Sequence, residues 1–195
     1  MDEKLIRLVF GKRGSGKSVL AKSLIRNQNR FLIYDTLGEY SDGVTIRDLD
    51  TLRRFWLKVY QRNFRIVYQP LDPDAEFDAV CELAWECQDM TFLVEEIDQY
   101  CEQHRMSPEM KNIVQRGRHR NIELIGVTQR PANIDRLLTS QTKEMYILKM
   151  TEPRDIAYFK ESIGGNIEEK IIALDQYQFV RWQENVEELE IGKAN

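Results

Sequence analysis

Gly11-Lys12-Arg13-Gly14-Ser15-Gly16-Lys17-Ser18 stands between an apolar run, Leu5 to Phe10, and a helical pattern from about Lys17 to Asn27. An apolar run that ends at a glycine reads as a buried strand feeding a loop. Gly11, Gly14 and Gly16 permit backbone angles that strain other residues, so successive N–H groups can turn inward around an anion. The helix that follows adds its partial positive N-terminus. In this spacing Lys17 is expected to reach the β and γ phosphates of a nucleoside triphosphate, and the Ser18 hydroxyl to ligate magnesium. All eight residues are therefore candidate nucleotide contacts, with ATP and Mg2+ the expected ligands. Four such fixed positions recur by accident in a chain of this length at roughly the one-percent level or below.

Working outward, short apolar runs alternate with helical patterns. Phe31-Leu32-Ile33-Tyr34 is a second strand, ending at Asp35. Leu49, Leu52, Phe55, Trp56, Val59 and Tyr60 recur at three- and four-residue spacing, one apolar face of a helix. Phe64 to Tyr68 is a third strand. Asp72-Pro73 then supplies an N-cap followed by proline at the first helical position, opening a helix with Phe77, Val80, Cys81 and Ala84 inward. Thr91 to Val94 is a fourth strand, with Glu95, Glu96 and Asp98 at its C-terminal end. Ser107-Pro108 opens another helix by the same logic, expected to run to about Arg120. Ile122 to Thr128, Met145 to Met150 and Tyr177 to Trp182 complete seven strands. Strand and helix alternate throughout, the pattern of an α/β fold with a mostly parallel sheet flanked by helices.

Composition bounds the class. The 195 residues fit one domain, residues 1–195, and 42% hydrophobic with 31% charged residues excludes a disordered or membrane-embedded chain. No apolar run approaches the roughly 18 residues that span a bilayer, and Met1-Asp2-Glu3-Lys4 lacks the apolar stretch of a signal peptide, so a cytoplasmic protein is expected, in a host cell or virion if viral. Cys81, Cys87 and Cys101 have neither paired spacing nor neighbouring histidines, and read as buried thiols. A formal net charge of -4 argues against a generally basic coat for nucleic acid, while leaving room for a local basic track. Trp56, Trp85 and Trp182 fall on apolar faces and read as core.

The acids after the fourth strand suit hydrolysis. One must hold the metal and a second can orient and deprotonate water. Glu95 is assigned to the metal and Glu96 to the water; Asp98 can take either role. In Thr128-Gln129-Arg130-Pro131, at the end of the next strand, Gln129 is the candidate to touch the γ-phosphate or the attacking water. The run Arg116-Gly117-Arg118-His119-Arg120 has a bland reading, cations complementing a helix dipole. Its sharper reading is an arginine finger toward a neighbouring subunit's phosphate, with Arg118 ahead of Arg120 and Arg116.

Four segments together resemble the FtsK–HerA superfamily of ring-forming, DNA-pumping ATPases. They are the phosphate loop, Asp35-Thr36-Leu37-Gly38-Glu39-Tyr40, Leu93-Val94-Glu95-Glu96, and Gly117-Arg118 leading through Ile122 to Thr128-Gln129-Arg130-Pro131. The second is similar to the D-x-x-G-E-Y of HerA-like members, the fourth to the G-R and T-Q-R-P of FtsK-like members. Ile147 to Met150 with Pro153-Arg154-Asp155 and Tyr158-Phe159 is similar to the closing strand and helix of HerA-like proteins. The resemblance implies a RecA-like P-loop NTPase core, a hexameric ring, and double-stranded DNA driven through its channel by ATP hydrolysis. It also implies Lys17 and Ser18 at the nucleotide, Glu95 and Glu96 at metal and water, Gln129 as sensor and Arg118 as finger. Glu95 departs from the Asp of most members.

At 195 residues the chain is expected to lack the extra domains or membrane segments of FtsK, HerA and Zot-like proteins. It most resembles the bare genome-packaging ATPases of membrane-containing double-stranded DNA viruses, which implies capsid or membrane vertex proteins as partners. His104, Arg105 and Lys111 are candidates for a channel track that contacts phosphates rather than bases. The alternatives are a cellular HerA-like translocase in repair or conjugation and, from another class, a nucleotide-dependent switch or scaffold. A small-molecule kinase fits less well, because paired acids and a late glutamine suit activation of water.

Overall fold

The computed structural model describes residues 5–103 and 105–194, so the readings of Met1 to Lys4 and of His104 lie outside it. The strands are β1 (Ile6–Phe10), β2 (Arg30–Tyr34), β3 (Val44–Ile46), β4 (Phe64–Tyr68), β5 (Met90–Val94), β6 (Ile122–Thr128), β7 (Glu144–Leu148), β8 (Gln178–Gln183) and β9 (Glu190–Lys193). The helices are α1 (Lys17–Ile25), α2 (Leu49–Val59), α3 (Pro73–Cys87), α4 (Pro108–Arg116), α5 (Arg136–Gln141), α6 (Pro153–Ser162) and α7 (Ile167–Ala173).

All nine strands form one sheet in the order β3-β4-β2-β5-β6-β1-β7-β8-β9. The pairs from β3 across to β7 are parallel, and only β7–β8 and β8–β9 are antiparallel. This is the mostly parallel sheet that the alternating pattern predicts, and it agrees with the RecA-like core that the resemblance implies. β1 lies at its centre between β6 and β7, with Phe10 opposite Thr128 on one side and Ile147 on the other. The loop after β1 therefore leaves the middle of the edge where every parallel strand ends, the place where such sheets bind ligands.

The period of two along the strands divides the core. Leu8, Phe10, Leu32, Tyr34, Ile66 and Phe92 face one way and pack with Leu52 and Trp56 of α2, Phe77 and Val80 of α3, Ile113 of α4 and Phe159 of α6. Val9, Phe31, Ile33, Val67, Leu93 and Ile125 face the other way, against Leu20, Ala21 and Ile25 of α1. One face thus carries α2 to α7 and the other carries α1. All seven residues of β6 are buried, as a strand covered on both faces requires. Buried Glu123 and Glu144, at the starts of β6 and β7, are compensated by Arg7: it pairs with Glu123 and lies 2.7 Å from Glu144, which Arg181 also contacts at 2.7 Å.

Differences from the sequence reading have local causes. α4 stops at Arg116, and Gly117–Arg120 tightens into a 3-10 turn ended by Asn121 at φ 54°, so the helix is shorter than expected. β3 and β9 are three and four residues long and mostly exposed, with no apolar run to mark them. Asp72 and Ser107 do cap α3 and α4, accepting from Ala75 N and Met110 N.

Candidate functional site

The loop from Gly11 to Ser18 bends as a phosphate cradle must, and the glycines differ in why. Gly14 and Gly16 have φ of 74° and 106°, left-handed conformations that other residues adopt at a cost. Gly11 does not; it is tied to close packing instead, because a methyl group there would come within 2.5 Å of Ser15 Oγ and 2.9 Å of Leu148 Cβ. α1 begins at Gly16 without a side-chain cap or a first-turn acid, whereas α2 to α5 are capped by Asp48, Asp72, Ser107 and Asp135. α6 and α7 lack a side-chain cap as well, but only α1 follows the loop from Gly11, and its first N–H groups are open to an anion there. A wider cleft of about 710 Å3 beside Arg136, Arg154 and Tyr158 has neither a phosphate loop nor a carboxylate pair in its described lining.

A cavity of about 510 Å3 opens over this loop. Arg13, Gly14, Gly16, Lys17 and Ser18 line it together with Glu95, Glu96, Thr128 and Gln129 from the ends of β5 and β6, and with Glu39 and Tyr177. The structure thus brings the expected lysine, hydroxyl, acid pair and glutamine to one place. Lys17 Nζ donates to Lys12 O at 3.2 Å. Burial pushes its pKa below the ordinary value, opposed by the carboxylates of Glu95, Glu39, Glu96 and Asp98 around it.

The two acids are held differently. Glu95 is buried, 2% exposed, and accepts a hydrogen bond from the Tyr40 hydroxyl. Tyr40 is set in turn by Asp35, whose carboxylate accepts from Glu39 N at 3.0 Å, Tyr40 N at 3.1 Å and Gln69 Nε2 at 3.1 Å. The D-x-x-G-E-Y segment therefore acts as a clasp: its aspartate folds the turn and its tyrosine aims Glu95. Sequence reasoning used this segment only as a likeness and assigned no role to Tyr40; the aspartate at a strand end followed by an aromatic five residues on is the signal it had.

Glu96 has φ 48° and ψ 45°, a left-handed conformation unusual for a side chain with a Cβ, and is part-exposed toward the cavity. Ile97 pins this turn by packing over Gly126 of β6, where a methyl group would lie 2.7 Å from the Ile97 side chain. Gln99 Nε2 donates to Glu96 Oε2 at 2.5 Å. Asp98 is engaged elsewhere, accepting from Thr128 Oγ1 at 2.5 Å, so it ties the end of β5 to the end of β6. Thr128 Oγ1 also accepts from Arg130 N at 2.9 Å, which fixes the turn carrying Gln129.

The arginines lie apart. Arg118 is exposed at the opposite end of the sheet, beside Leu5, Ile6 and Ile122 where β1 and β6 begin, and does not line the cavity of its own chain. Arg120 is occupied within its own chain, over the Trp85 ring at 4.3 Å and donating to Trp85 O at 3.2 Å. Arg116 is exposed; Arg105 pairs with Glu102 at 3.4 Å, and Lys111 is exposed on α4. Among the described residues no helix is long and apolar enough to cross a membrane.

Burial raises Glu95 from an ordinary value near 4.5 to about 7, with the Tyr40 hydrogen bond and Lys17 opposing and Glu39 and Asp35 reinforcing the rise. A carboxyl group that binds its proton more tightly when folded stabilises the fold most below its unfolded pKa. That contribution is lost as pH rises toward the folded value. Between about pH 4.5 and 7 the ligand-free protein should lose on the order of 3 kcal/mol relative to Glu95→Gln, at about 1.4 kcal/mol per unit. Denaturant unfolding of both proteins across that range checks it. Parallel curves would mean that Glu95 is ionised in the folded protein.

A model of the ATPase family associated with various cellular activities (AAA) matches residues 7–149. Among solved structures, the genome packaging NTPase B204 from Sulfolobus turreted icosahedral virus 2, in complex with AMPPCP, is similar with a TM-score of 0.81 at 20% identity, over 100% of both chains. The DNA-packaging ATPase B204 from Sulfolobus turreted icosahedral virus gives 0.76 at 18%, again over 100% of both chains. VirB4 of Thermoanaerobacter pseudethanolicus gives 0.69 at 12%, over 97% of this chain and 89% of that one. No curated protein matches the sequence. At these identities the structural likenesses establish the fold.

Proposed function

The chain belongs to the ATPase family associated with various cellular activities, and on that premise we propose that it is the motor subunit of a viral genome-packaging machine, hydrolysing ATP to move double-stranded DNA. The observation that carries the reading is a conjunction. One cavity gathers a phosphate loop, two strand-end carboxylates and a glutamine, and the chain matches a packaging NTPase from end to end.

In this reading Lys17 and the uncapped N-terminus of α1 bind the phosphates, Glu96 takes a proton from the attacking water, and Gln129 sits where it can sense the terminal phosphate. The donor set suits Mg2+, which takes one or two protein oxygens and completes its shell with phosphate and water: Ser18 Oγ and the buried Glu95 carboxylate line the same cavity. Bound there, the ion would offset phosphate charge. Tyr40 keeps the longer side chain of Glu95 aimed at the site. Arg118, remote from its own cavity, serves as the finger only across a subunit boundary, which calls for a homo-oligomer, a hexameric ring in our reading. Capsid or membrane vertex proteins would be its partners.

ATPase turnover measured with and without double-stranded DNA tests this. DNA is expected to raise steady-state turnover several-fold and to bind more weakly as salt increases, since a motor that accepts any sequence holds phosphates. Turnover unchanged by DNA, with no salt-sensitive binding, would remove the translocase reading and leave a switch or scaffold.

A further inference from the structure

We propose that Tyr177 is the platform on which the base of the bound nucleotide stacks, an inference that rests on the phosphate-loop reading. β8 runs antiparallel to β7, so its first residues arrive at the same edge of the sheet as the phosphate loop. Three hydrogen bonds pin the turn there. Tyr177 N donates to Ser15 O at 3.1 Å, Gln176 Nε2 donates to Gly14 O at 3.3 Å, and Ala194 N donates to Tyr177 O at 2.8 Å.

The conformation at this position calls for an explanation. Tyr177 has φ 66°, which glycine or asparagine would adopt more readily. The large side chain is present in spite of the backbone, and it is not core: the residue is 38% exposed. Its ring lies on Gly16, where a methyl group would come within 2.5 Å of Cδ1, so the third glycine of the loop leaves room for this ring as well as for phosphate. No described aromatic ring or cation stacks on it, and it lines the cavity that holds Lys17 and Glu95.

The direction of the nucleotide follows from the strand order. Glu95, Glu96 and Gln129 stand at the ends of β5 and β6, on one side of β1. A triphosphate whose reacting end faces those groups, with Lys17 between its β and γ phosphates, extends the other way along the sheet edge, toward β7 and β8. Its base thereby comes to the turn that presents Tyr177. Stacking on an aromatic ring depends on a base being present more than on which base it is, because every base has a π-face.

Binding of ATP and of inorganic tripolyphosphate to the parent, Tyr177→Phe and Tyr177→Ala separates the roles. Tyr177→Phe should keep the parent's ATP affinity. Tyr177→Ala should lose about 10-fold for ATP, the scale of one base–aromatic stack, and keep its tripolyphosphate affinity. An equal loss for both ligands would mean that the ring merely braces the loop, and an unchanged ATP affinity would leave it without a role; either overturns the proposal. A parent that binds tripolyphosphate but gains nothing from the nucleoside refutes the platform alone, whereas a parent that binds neither ligand refutes the phosphate-loop reading beneath it.

Discussion

Lys17→Ala is expected to reduce ATP turnover by at least about 10²-fold, the scale on which one preorganised donor to developing charge acts. ATP affinity should fall by about 10-fold or more, as for a lost hydrogen bond to a charged group. The reason lies in what surrounds the ammonium group. Lys17 is the cation against which Glu95, Glu39, Glu96 and Asp98 all act. Without it the site offers a cluster of carboxylates to a ligand that is itself polyanionic, so repulsion is added to the lost contact. Lys17→Arg should not restore turnover, because a planar guanidinium does not replace a compact ammonium in a cradle of backbone amides. The fold should survive, since among the described residues the side-chain hydrogen bond given up is the one to Lys12 O. Steady-state hydrolysis, ATP titration and a cooperative unfolding curve for each variant check these four statements. A Lys17→Ala protein that hydrolyses ATP within a few-fold of the parent would sink the assignment of this loop.

The parts of this protein legible from its sequence are those whose physics is local. β1, β2, β4, β5 and β6 are apolar runs because a central parallel strand is buried on both faces, and Asp72-Pro73 and Ser107-Pro108 announce helices because capping is a matter of a few adjacent residues. The phosphate loop is legible for the same reason. What stayed hidden depends on where distant segments meet. β3 and β9 lie at the sheet's edges, where a strand needs no apolar run. Tyr177 reads as the first residue of a strand; its position over Gly16 follows only once β8 is known to turn back beside β7. Asp98 could stand in for Glu96 as far as the sequence goes, until Thr128 claims its carboxylate and a left-handed backbone sets Glu96 in the cavity wall. The same holds for the arginines: Trp85, thirty-five residues away, is what sets Arg120 apart from Arg118.

Glu96→Gln should separate binding from hydrolysis. Glutamine keeps the length of the side chain and an oxygen to accept the Gln99 amide, so the turn from Glu96 to Tyr100 retains its hydrogen bonds. It removes the carboxylate that would take a proton from water, an effect worth about 10²- to 10⁴-fold when the group is a general base. ATP affinity should stay within a few-fold of the parent while single-turnover hydrolysis falls by at least about 10²-fold, so the variant accumulates with ATP unhydrolysed. The competing assignment gives the water to Glu95, whose pKa near 7 would suit a base and whose clasp by Tyr40 would suit aim. Against it stands the burial of Glu95 beside Lys17, in the same cavity wall as Ser18, where a carboxylate is better used on a cation than on solvent. The two variants divide the cases. If Glu96 is the base, Glu95→Gln should weaken the magnesium dependence of ATP binding, and Glu96→Gln should not. Full hydrolysis by Glu96→Gln with ATP still bound would transfer the proton to Glu95 and leave the metal to Ser18 and the phosphates.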